Sequence, residues 1–269
     1  MITGAKKGNQ TVRIITLNLN GLRSACSRGF YQWLSKQNAD VVCLQETRVQ
    51  STELPEAIAA PPGYLSFFND AEKKGYSGVA VFTRKQPDRL YYTLGWDEAD
   101  REGRYIQADF GRLSVVSVYL PSGSSGPERQ AIKIDFMTRF LPVLEKMRRR
   151  RRDYIVCGDW NIAHKRIDIK NWRANQKHSG FLPEERAWMA TVLGRVGFVD
   201  AFRELNGEQN QYTWWSNRGR AWDKNVGWRI DYQIVTPGLR RKIKRVAIYK
   251  EQRFSDHAPV LIDYAIDAG

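Results

Sequence analysis

Ten short runs rich in β-branched and aromatic residues, each bounded by turn-forming residues, recur along almost the whole chain, at 12–19, 41–45, 64–68, 78–83, 105–110, 113–120, 154–158, 230–236, 243–249 and 259–265. Runs of this length and setting read as β-strands. Helical patterns are fewer, at about 29–37, at 128–149 with a kink expected at Pro142, and at 183–196 with Pro183 at the helix start. So many strands with so few long helices do not suit a regular βαβ alternation, but they suit two stacked sheets flanked by helices. No Pro/Gly/Ser-rich linker, repeat or low-complexity stretch divides the 269 residues. Residues 11–269 therefore read as one domain, preceded by a flexible tail over residues 1–10, where Gly4, Lys6, Lys7, Gly8 and Asn9 show no periodicity.

Several runs end on residues that carry chemistry. The run Tyr154-Ile155-Val156-Cys157 leads into Gly158-Asp159-Trp160-Asn161-Ile162, placing a carboxylate and an amide two residues apart at a strand exit, where both project from the same edge of a sheet. Asn18 and Asn20 follow Arg13-Ile14-Ile15-Thr16-Leu17, Glu46 follows Val41-Val42-Cys43-Leu44-Gln45, and Asp231 follows Gly227-Trp228-Arg229-Ile230. Ser255-Asp256-His257 adds an imidazole. A lone Gly-Asp-x-Asn is more often a turn with an Asx hydrogen bond than an active site, and a lone Asp-His is usually a surface pair or a core histidine. Five such segments in one chain, which a packed sheet could bring together, carry the argument.

The formal charge of +14 favours a polyanionic partner without distinguishing DNA, RNA or a ribosome. The densest basic run, Arg148 through Arg152, closes a helical segment, where cations suit the negative end of the helix dipole, so capping and contact are equally open there. Arg218, Arg220, Lys224 and Arg229 stand near aromatic segments and are better placed to meet phosphates. The three cysteines, Cys26, Cys43 and Cys157, are odd in number, and two lie in apolar runs. Reduced core thiols follow, and without a CxxC spacing a cysteine zinc site is unsupported. No stretch resembles a secretory signal or reaches membrane-spanning length, so the expectation is a soluble, monomeric, cytoplasmic protein, nucleoid-associated if bacterial.

The segments Leu17-Asn18-Leu19-Asn20-Gly21-Leu22-Arg23, Leu44-Gln45-Glu46-Thr47, Gly75-Tyr76-Ser77-Gly78-Val79-Ala80, Val118-Tyr119-Leu120-Pro121, Gly158-Asp159-Trp160-Asn161, Gly227-Trp228-Arg229-Ile230-Asp231-Tyr232 and Ser255-Asp256-His257-Ala258-Pro259 span nearly the whole chain. As a set they resemble the exonuclease III family of Mg-dependent DNA-repair nucleases, the apurinic/apyrimidinic (AP) endonucleases, within the wider endonuclease/exonuclease/phosphatase superfamily. The resemblance implies an α/β fold, a four-layer αββα sandwich of two stacked mixed sheets with the active site at one end. It implies Mg²⁺, with Mn²⁺ able to substitute, at Glu46 with Asn18, Asn20 and Asp256 nearby; relatives often place Asp or Asn where Asn20 stands. It gives Asp159 the attacking water to orient or deprotonate, leaving open whether Asp159 is the base. Asn161 would hold that geometry and donate to a phosphate oxygen. His257, supported by Asp231 or Asp256, would hydrogen-bond the scissile phosphate, and Tyr119 would place a phenol near the phosphate or leaving group.

In the same pattern Trp214, Trp228 and Ile230 line a small apolar pocket that admits a base-less deoxyribose and excludes an intact nucleotide. Arg229 beside them and Asn175, Lys177 and His178 in the basic, polar loop from Asp168 to Phe181 are the expected substrate contacts. Endonuclease-type relatives usually carry Asn where His178 stands. The implied substrate is double-stranded DNA with abasic sites or damaged 3′ ends, cut 5′ to the abasic site, with 3′–5′ exonuclease and 3′ phosphodiesterase or phosphatase activity beside it. The alternatives are an enzyme that is mainly a 3′–5′ exonuclease and 3′-phosphatase, a superfamily hydrolase of inositol phosphates, sphingomyelin or RNA tails, and a non-catalytic DNA-binding module that has kept the fold.

Overall fold

The computed structural model describes residues 11–266, so the tail expected over residues 1–10 lies outside the described residues. Six strands form a first sheet in the order β13 (Ile243–Ile248), β14 (Val260–Ala265), β1 (Thr11–Asn18), β2 (Val41–Gln45), β4 (Val79–Thr83) and β3 (Leu65–Asn69). Six more form a second sheet in the order β5 (Arg89–Tyr91), β6 (Tyr105–Phe110), β7 (Leu113–Tyr119), β8 (Asp153–Asp159), β12 (Asp231–Val235) and β9 (Val199–Asp200). A two-stranded ribbon, β10 (Trp214–Trp215) with β11 (Gly227–Trp228), stands apart. All ten runs read as strands are strands. The four others are two or three residues long, too short to show a period.

Both sheets are mixed in the same way. Each has one parallel pair at its centre, β1 with β2 and β7 with β8, and antiparallel pairs elsewhere. Central strands are buried on both faces and alternate between cores, as a period of two requires. Ile14, Cys43, Val115, Ile155 and Cys157 point into the seam between the sheets. Ile15, Leu17, Val42 and Leu44 instead pack against Leu22, Ala25, Phe30 and Trp33 of the short helices Leu22–Ser27 and Phe30–Leu34. On the other side Val116, Val118, Tyr154 and Val156 pack against Phe136, Phe140 and Leu144 of helix Pro127–Arg149 and Met189 and Val192 of helix Pro183–Leu193. Helix, sheet, sheet, helix is the four-layer order. Cys43 and Cys157 are buried free thiols.

Helix Pro127–Arg149 continues through Pro142 rather than stopping there. Pro142 and Thr138, whose carbonyl it leaves without an amide partner, are both exposed residues. Among the described residues no helix is long and apolar enough to cross a membrane.

Candidate active site

The parallel pairs decide where the chemistry goes. Parallel neighbours end at the same edge, so β1 and β2 deliver Asn18 and Glu46 to one end of the sandwich, while β7 and β8 deliver Tyr119 and Asp159 to the same end of the second sheet. Antiparallel β12 begins where β8 ends, with Asp231 registered opposite Asp159. Asn20, Glu46 and Asn161 adopt left-handed backbone conformations, at φ 47°, 48° and 52°. The conformation costs Glu46 about 1 kcal/mol or more and the two asparagines less, because a short polar side chain tolerates it. With Arg48, at φ 53°, four such residues stand around one mouth and mark a site whose geometry outweighs local comfort. Gly158 is required for a different reason: a Cβ there would stand 1.9 Å from the Val118 carbonyl oxygen of the neighbouring strand.

Asn18 bridges the two sheets. Its buried amide donates to Glu46 Oε1 at 2.8 Å and to Asp159 Oδ2 at 2.9 Å, while its Oδ1 accepts from the Asn20 backbone N–H at 2.9 Å. Asn18 thus positions two carboxylates. Tyr119 donates its hydroxyl to Glu46 Oε1 at 2.8 Å, and Arg48 pairs with Glu46 Oε2. Asn20 donates to Asp256 Oδ1 at 2.9 Å, and Trp214 Nε1 donates to Asp256 Oδ2 at 3.1 Å.

The two carboxylates proposed to support His257 are separated by the structure. His257 Nδ1 lies 2.9 Å from Asp231 Oδ2, whereas Asp256 is committed to Asn20, Trp214 and Ser255. With Nδ1–H donated to Asp231, Nε2 lies 3.9 Å from Asp159 Oδ2, and both side chains line the same cleft. Burial by itself disfavours the imidazolium, but Asp231, then Asp159 and Asp256, outweigh it and push the His257 pKa up to about 10. Burial pushes the Asp159 carboxyl up to about 7, with His257 opposing and Asp231 adding to the rise. A carboxylate that exchanges its proton near neutrality suits general base work.

Asn161 differs from expectation in one respect. Its backbone N–H donates to Asp159 Oδ1 at 2.9 Å, and its side-chain amide donates to the Leu120 carbonyl at 2.9 Å and to Asp159 Oδ2 at 3.3 Å. Both amide hydrogens are used inside the protein, so Asn161 holds Asp159 rather than donating to a phosphate. Arg229 is a second correction. It is 1% exposed and its guanidinium lies between Asp168, at 2.8 Å, and Asp200, at 2.6 Å, behind the pocket wall instead of in it. Its neighbours in sequence, Trp228 and Ile230, line the cleft instead.

A cleft of about 610 Å³ opens above this set. It is walled by Trp214, Trp228 and Ile230 on one side and by Asn175, Lys177 and His178 on another, with Ser122 to Ser124 at the rim. Trp214 and Trp228 are cross-strand partners in the ribbon, packed edge to face with ring centroids 6.2 Å apart. Gly180 adopts φ +95°, and a Cβ there would stand 3.0 Å from the Trp228 ring. Asn20, Glu46, Tyr119, Asp159, Asn161, Asp256 and His257 line the floor.

Four residues that serve the site escaped the sequence reading. Arg48 lines the cleft beside Glu46. Buried Arg104 stacks on the Tyr119 ring, 4.7 Å from its centroid, and donates to the Tyr119 carbonyl at 2.9 Å. Lys133 and Glu185, both 0% exposed, pair at 2.6 Å. Lys133 also donates to the Asn161 carbonyl at 2.7 Å, and Glu185 accepts from the backbone N–H groups of Gly180 at 2.6 Å and Leu182 at 3.0 Å. One signal was present: Lys133 falls on the face that carries Phe136, Met137 and Phe140 at helical spacing.

Two groups of donors could hold a cation. Asp159, Asp231 and His257 offer ligand atoms within 4.8 Å of one another. This set is at most 5% exposed, and its imidazole nitrogen Nδ1 is already engaged with Asp231, although Asp231 Oδ1 is buried without a partner. Glu46, with Asn20 and Asp256 beside it on the cleft floor, is a hard-oxygen set open to water. That donor chemistry fits Mg²⁺, which takes one or two carboxylates and keeps several waters.

A two-sheet sandwich with a carboxylate-held imidazole, a second buried carboxylate and a water-exposed glutamate at one mouth has the form of a phosphoester hydrolase. The chain belongs to the endonuclease/exonuclease/phosphatase family, whose sequence pattern matches residues 15–257. It is 38% identical over 251 residues to an exodeoxyribonuclease of Bacillus subtilis, covering 93% of this chain and 98% of that one. Among solved structures it is similar to an AP endonuclease from Archaeoglobus fulgidus, with TM-score 0.87, 28% identity and 95% and 100% of the two chains covered. It is also similar to the 3′ phosphatase NExo from Neisseria bound to a product DNA hairpin, with TM-score 0.85, 26% identity and 94% and 99% covered.

Proposed function

We propose that this protein is a DNA-repair hydrolase that cleaves phosphodiester bonds 5′ to abasic sites and cleans 3′ ends, acting on double-stranded DNA with Mg²⁺. The reading is supported above all by the position of the Trp214–Trp228–Ile230 wall, which shares one cleft with Asp159 and His257. Asp159, held by Asn18 and by both nitrogens of Asn161, orients the attacking water and accepts its proton. His257, oriented by Asp231 and protonated on both ring nitrogens, presents Nε2–H to the phosphate. Glu46 would hold Mg²⁺, with Asn20 and Asp256 beside it, and the bound ion would supply charge neutralisation at the phosphate oxygens. Tyr119, fixed by Arg104, orients Glu46. Replacing an anionic ligand by a neutral one should raise the Mg²⁺ concentration for half-maximal activity of Glu46→Gln roughly tenfold or more, with partial rescue by excess metal. An unchanged metal titration would show that Glu46 does not hold the ion.

A second reading is favoured by His178. It puts a ring at the cleft wall where endonuclease-type relatives usually carry Asn, and one similar structure is a 3′ phosphatase. On that reading 3′-end processing dominates and abasic-site cleavage is weak. Duplexes with a single abasic analogue, a 3′ phosphate or an intact blunt end, compared at equal enzyme with Mg²⁺ and with EDTA, separate the two. Cleavage of the abasic duplex at a rate comparable with 3′-phosphate release supports the first reading. Release of 3′ phosphate with the abasic duplex left intact supports the second, and no metal-dependent cleavage of any duplex removes both.

The tryptophan wall gives a further expectation. Trp228→Ala should lower abasic-site cleavage at least tenfold more than 3′-phosphate release from a frayed end, where no nucleotide need leave the stack. Trp228 and Trp214 are only partly buried, so each variant should stay folded. Equal loss of both activities together with a collapsed melting temperature would make these rings structural only.

A further inference from the structure

The basic run Arg148 to Arg152 has no place in the catalytic cleft. It precedes β8, whose seven residues begin at Asp153 and end at Asp159, so it stands at the opposite end of the sandwich, about 20 Å from the cleft at ~3.3 Å per residue. Two further segments reach the same end. The turn between β6 and β7 brings Arg112, whose guanidinium donates to the Arg151 carbonyl at 3.4 Å and whose carbonyl accepts from Asp153 N–H at 3.0 Å. The chain leaving β12 is tied in by the Thr236 hydroxyl, 3.1 Å from Asp153 Oδ1, before the 3-10 turn Pro237–Lys242. A cleft of about 400 Å³ opens there, walled by Arg240, Arg241, Lys242 and Lys244 with Pro237 and Gly238, and no carboxylate lines it among the described residues.

Part of this charge has a structural use. Arg148 donates to the Val196 carbonyl, Arg150 to the Tyr154 hydroxyl, Arg152 pairs with Asp109 and Arg240 with Glu204. Arg151, Arg241, Lys242 and Lys244 do not share it: all four are exposed and form no ion pair among the described residues. Four uncompensated cations from two segments on one surface exceed what capping one helix needs.

We propose that this end is a second phosphate-contact surface, which holds a segment of double-stranded DNA distinct from the segment in the catalytic cleft. Cations without local counter-charges gain by meeting a polyanion, because each contact releases counterions condensed on the phosphates. The cleft has no aromatic lining on which an unpaired base could stack, which points to backbone contact with a duplex and not to a single strand. Duplex DNA is stiff over about 150 base pairs, so the stretch engaged in the catalytic cleft does not curl round to the opposite end of the protein. A separate segment, brought by looping or from another molecule, is the occupant. Its effect is to retain the enzyme on DNA after product leaves.

The test uses the full chain and an undamaged 30-base-pair duplex closed at both ends by hairpins, which offers neither a 3′ end nor an abasic site. In the variant carrying Arg151→Gln, Arg241→Gln, Lys242→Gln and Lys244→Gln, affinity for this duplex at low salt should fall at least tenfold. The slope of log affinity against log salt should shrink by about 3 to 4, and a double variant with only Lys242→Gln and Lys244→Gln should give about half of that change. The kcat for 3′-phosphate release from a short duplex should remain that of the wild type. A bead-tethered duplex should retain a second, labelled closed duplex with the wild type but not with the fourfold variant. Unchanged affinity and salt slope in the fourfold variant would overturn the proposal. So would tighter capture of a structured RNA of equal length, which would assign the surface to RNA.

Discussion

Asp159→Asn and His257→Ala are each expected to lower kcat by about 10³-fold or more, with abasic-DNA binding changed only a few-fold. A positioned acid or base contributes on the order of 10² to 10⁴, and these groups act on charge that exists only in the transition state, so the loss falls on kcat. The structure adds a second readout for Asp159. Its carboxylate is buried, faces Asp231 across the sheet and carries a pKa pushed up to about 7, chiefly by burial. The nearly isosteric amide removes a desolvated charge, so Asp159→Asn should melt at the same temperature as the wild type or higher. An inactive protein of undiminished stability would mark Asp159 as a residue kept for chemistry. Near-normal turnover by either folded variant would remove the catalytic assignment.

Arg229→Met is expected to destabilise the protein by about 3–5 kcal/mol, because one partner leaves a buried cluster and Asp168 and Asp200 lose their shared guanidinium. The pH dependence separates this cause from simple loss of packing. Burial alone would raise the Asp168 pKa, but Arg229 and then Arg203 outweigh it and hold the folded-state value at about 2. A carboxylate whose pKa is depressed by folding contributes stability that is present above its unfolded value of about 4 and is lost as pH falls from there towards 2, here about 2–3 kcal/mol. Urea unfolding of the wild type should therefore weaken through that window. In Arg229→Met most of that slope should vanish, since the remaining Arg203, 2.7 Å from Asp168 Oδ1, is the lesser influence. The same acid slope in both proteins would mean that Arg229 does not hold the Asp168 proton off. Abasic-site cleavage by Arg229→Met under conditions where it is folded should remain measurable, because Arg229 stands behind the pocket wall.

The strands and the site were legible in the sequence to very different depths. Strand runs declare themselves because a strand in the middle of a sandwich is apolar on both faces, and the helix pattern at 128–149 shows because one face alone is apolar. Strand-exit residues such as Asn18, Glu46 and Asp159 could be named for the same reason, since a polar residue at the end of an apolar run is a local feature. The ribbon that holds Trp214 against Trp228 could not be read, because its strands are two residues each and their pairing is set by distant contacts such as Trp215 N–H to the Asp256 carbonyl.

Roles depended on direction, which composition does not carry. Asp231 and Asp256 are equivalent candidates beside His257 in the sequence, and only the antiparallel register of β12 with β8 puts Asp231 against Nδ1 while Asp256 turns to Asn20 and Trp214. Arg229 reads as a phosphate contact because it follows Trp228, yet between β11 and β12 its side chain turns to Asp168 and Asp200, which lie 61 and 29 residues away. Lys133 and Glu185, 52 residues apart, become one buried pair only when two helices pack on the second sheet. The sequence by itself therefore determined the residue types, the strand-rich class and the set of candidate groups, because these follow from local periodicity. Which carboxylate holds which donor, and which end of the sandwich takes the unspent positive charge, depended on long-range pairing and were decided by the tertiary structure alone.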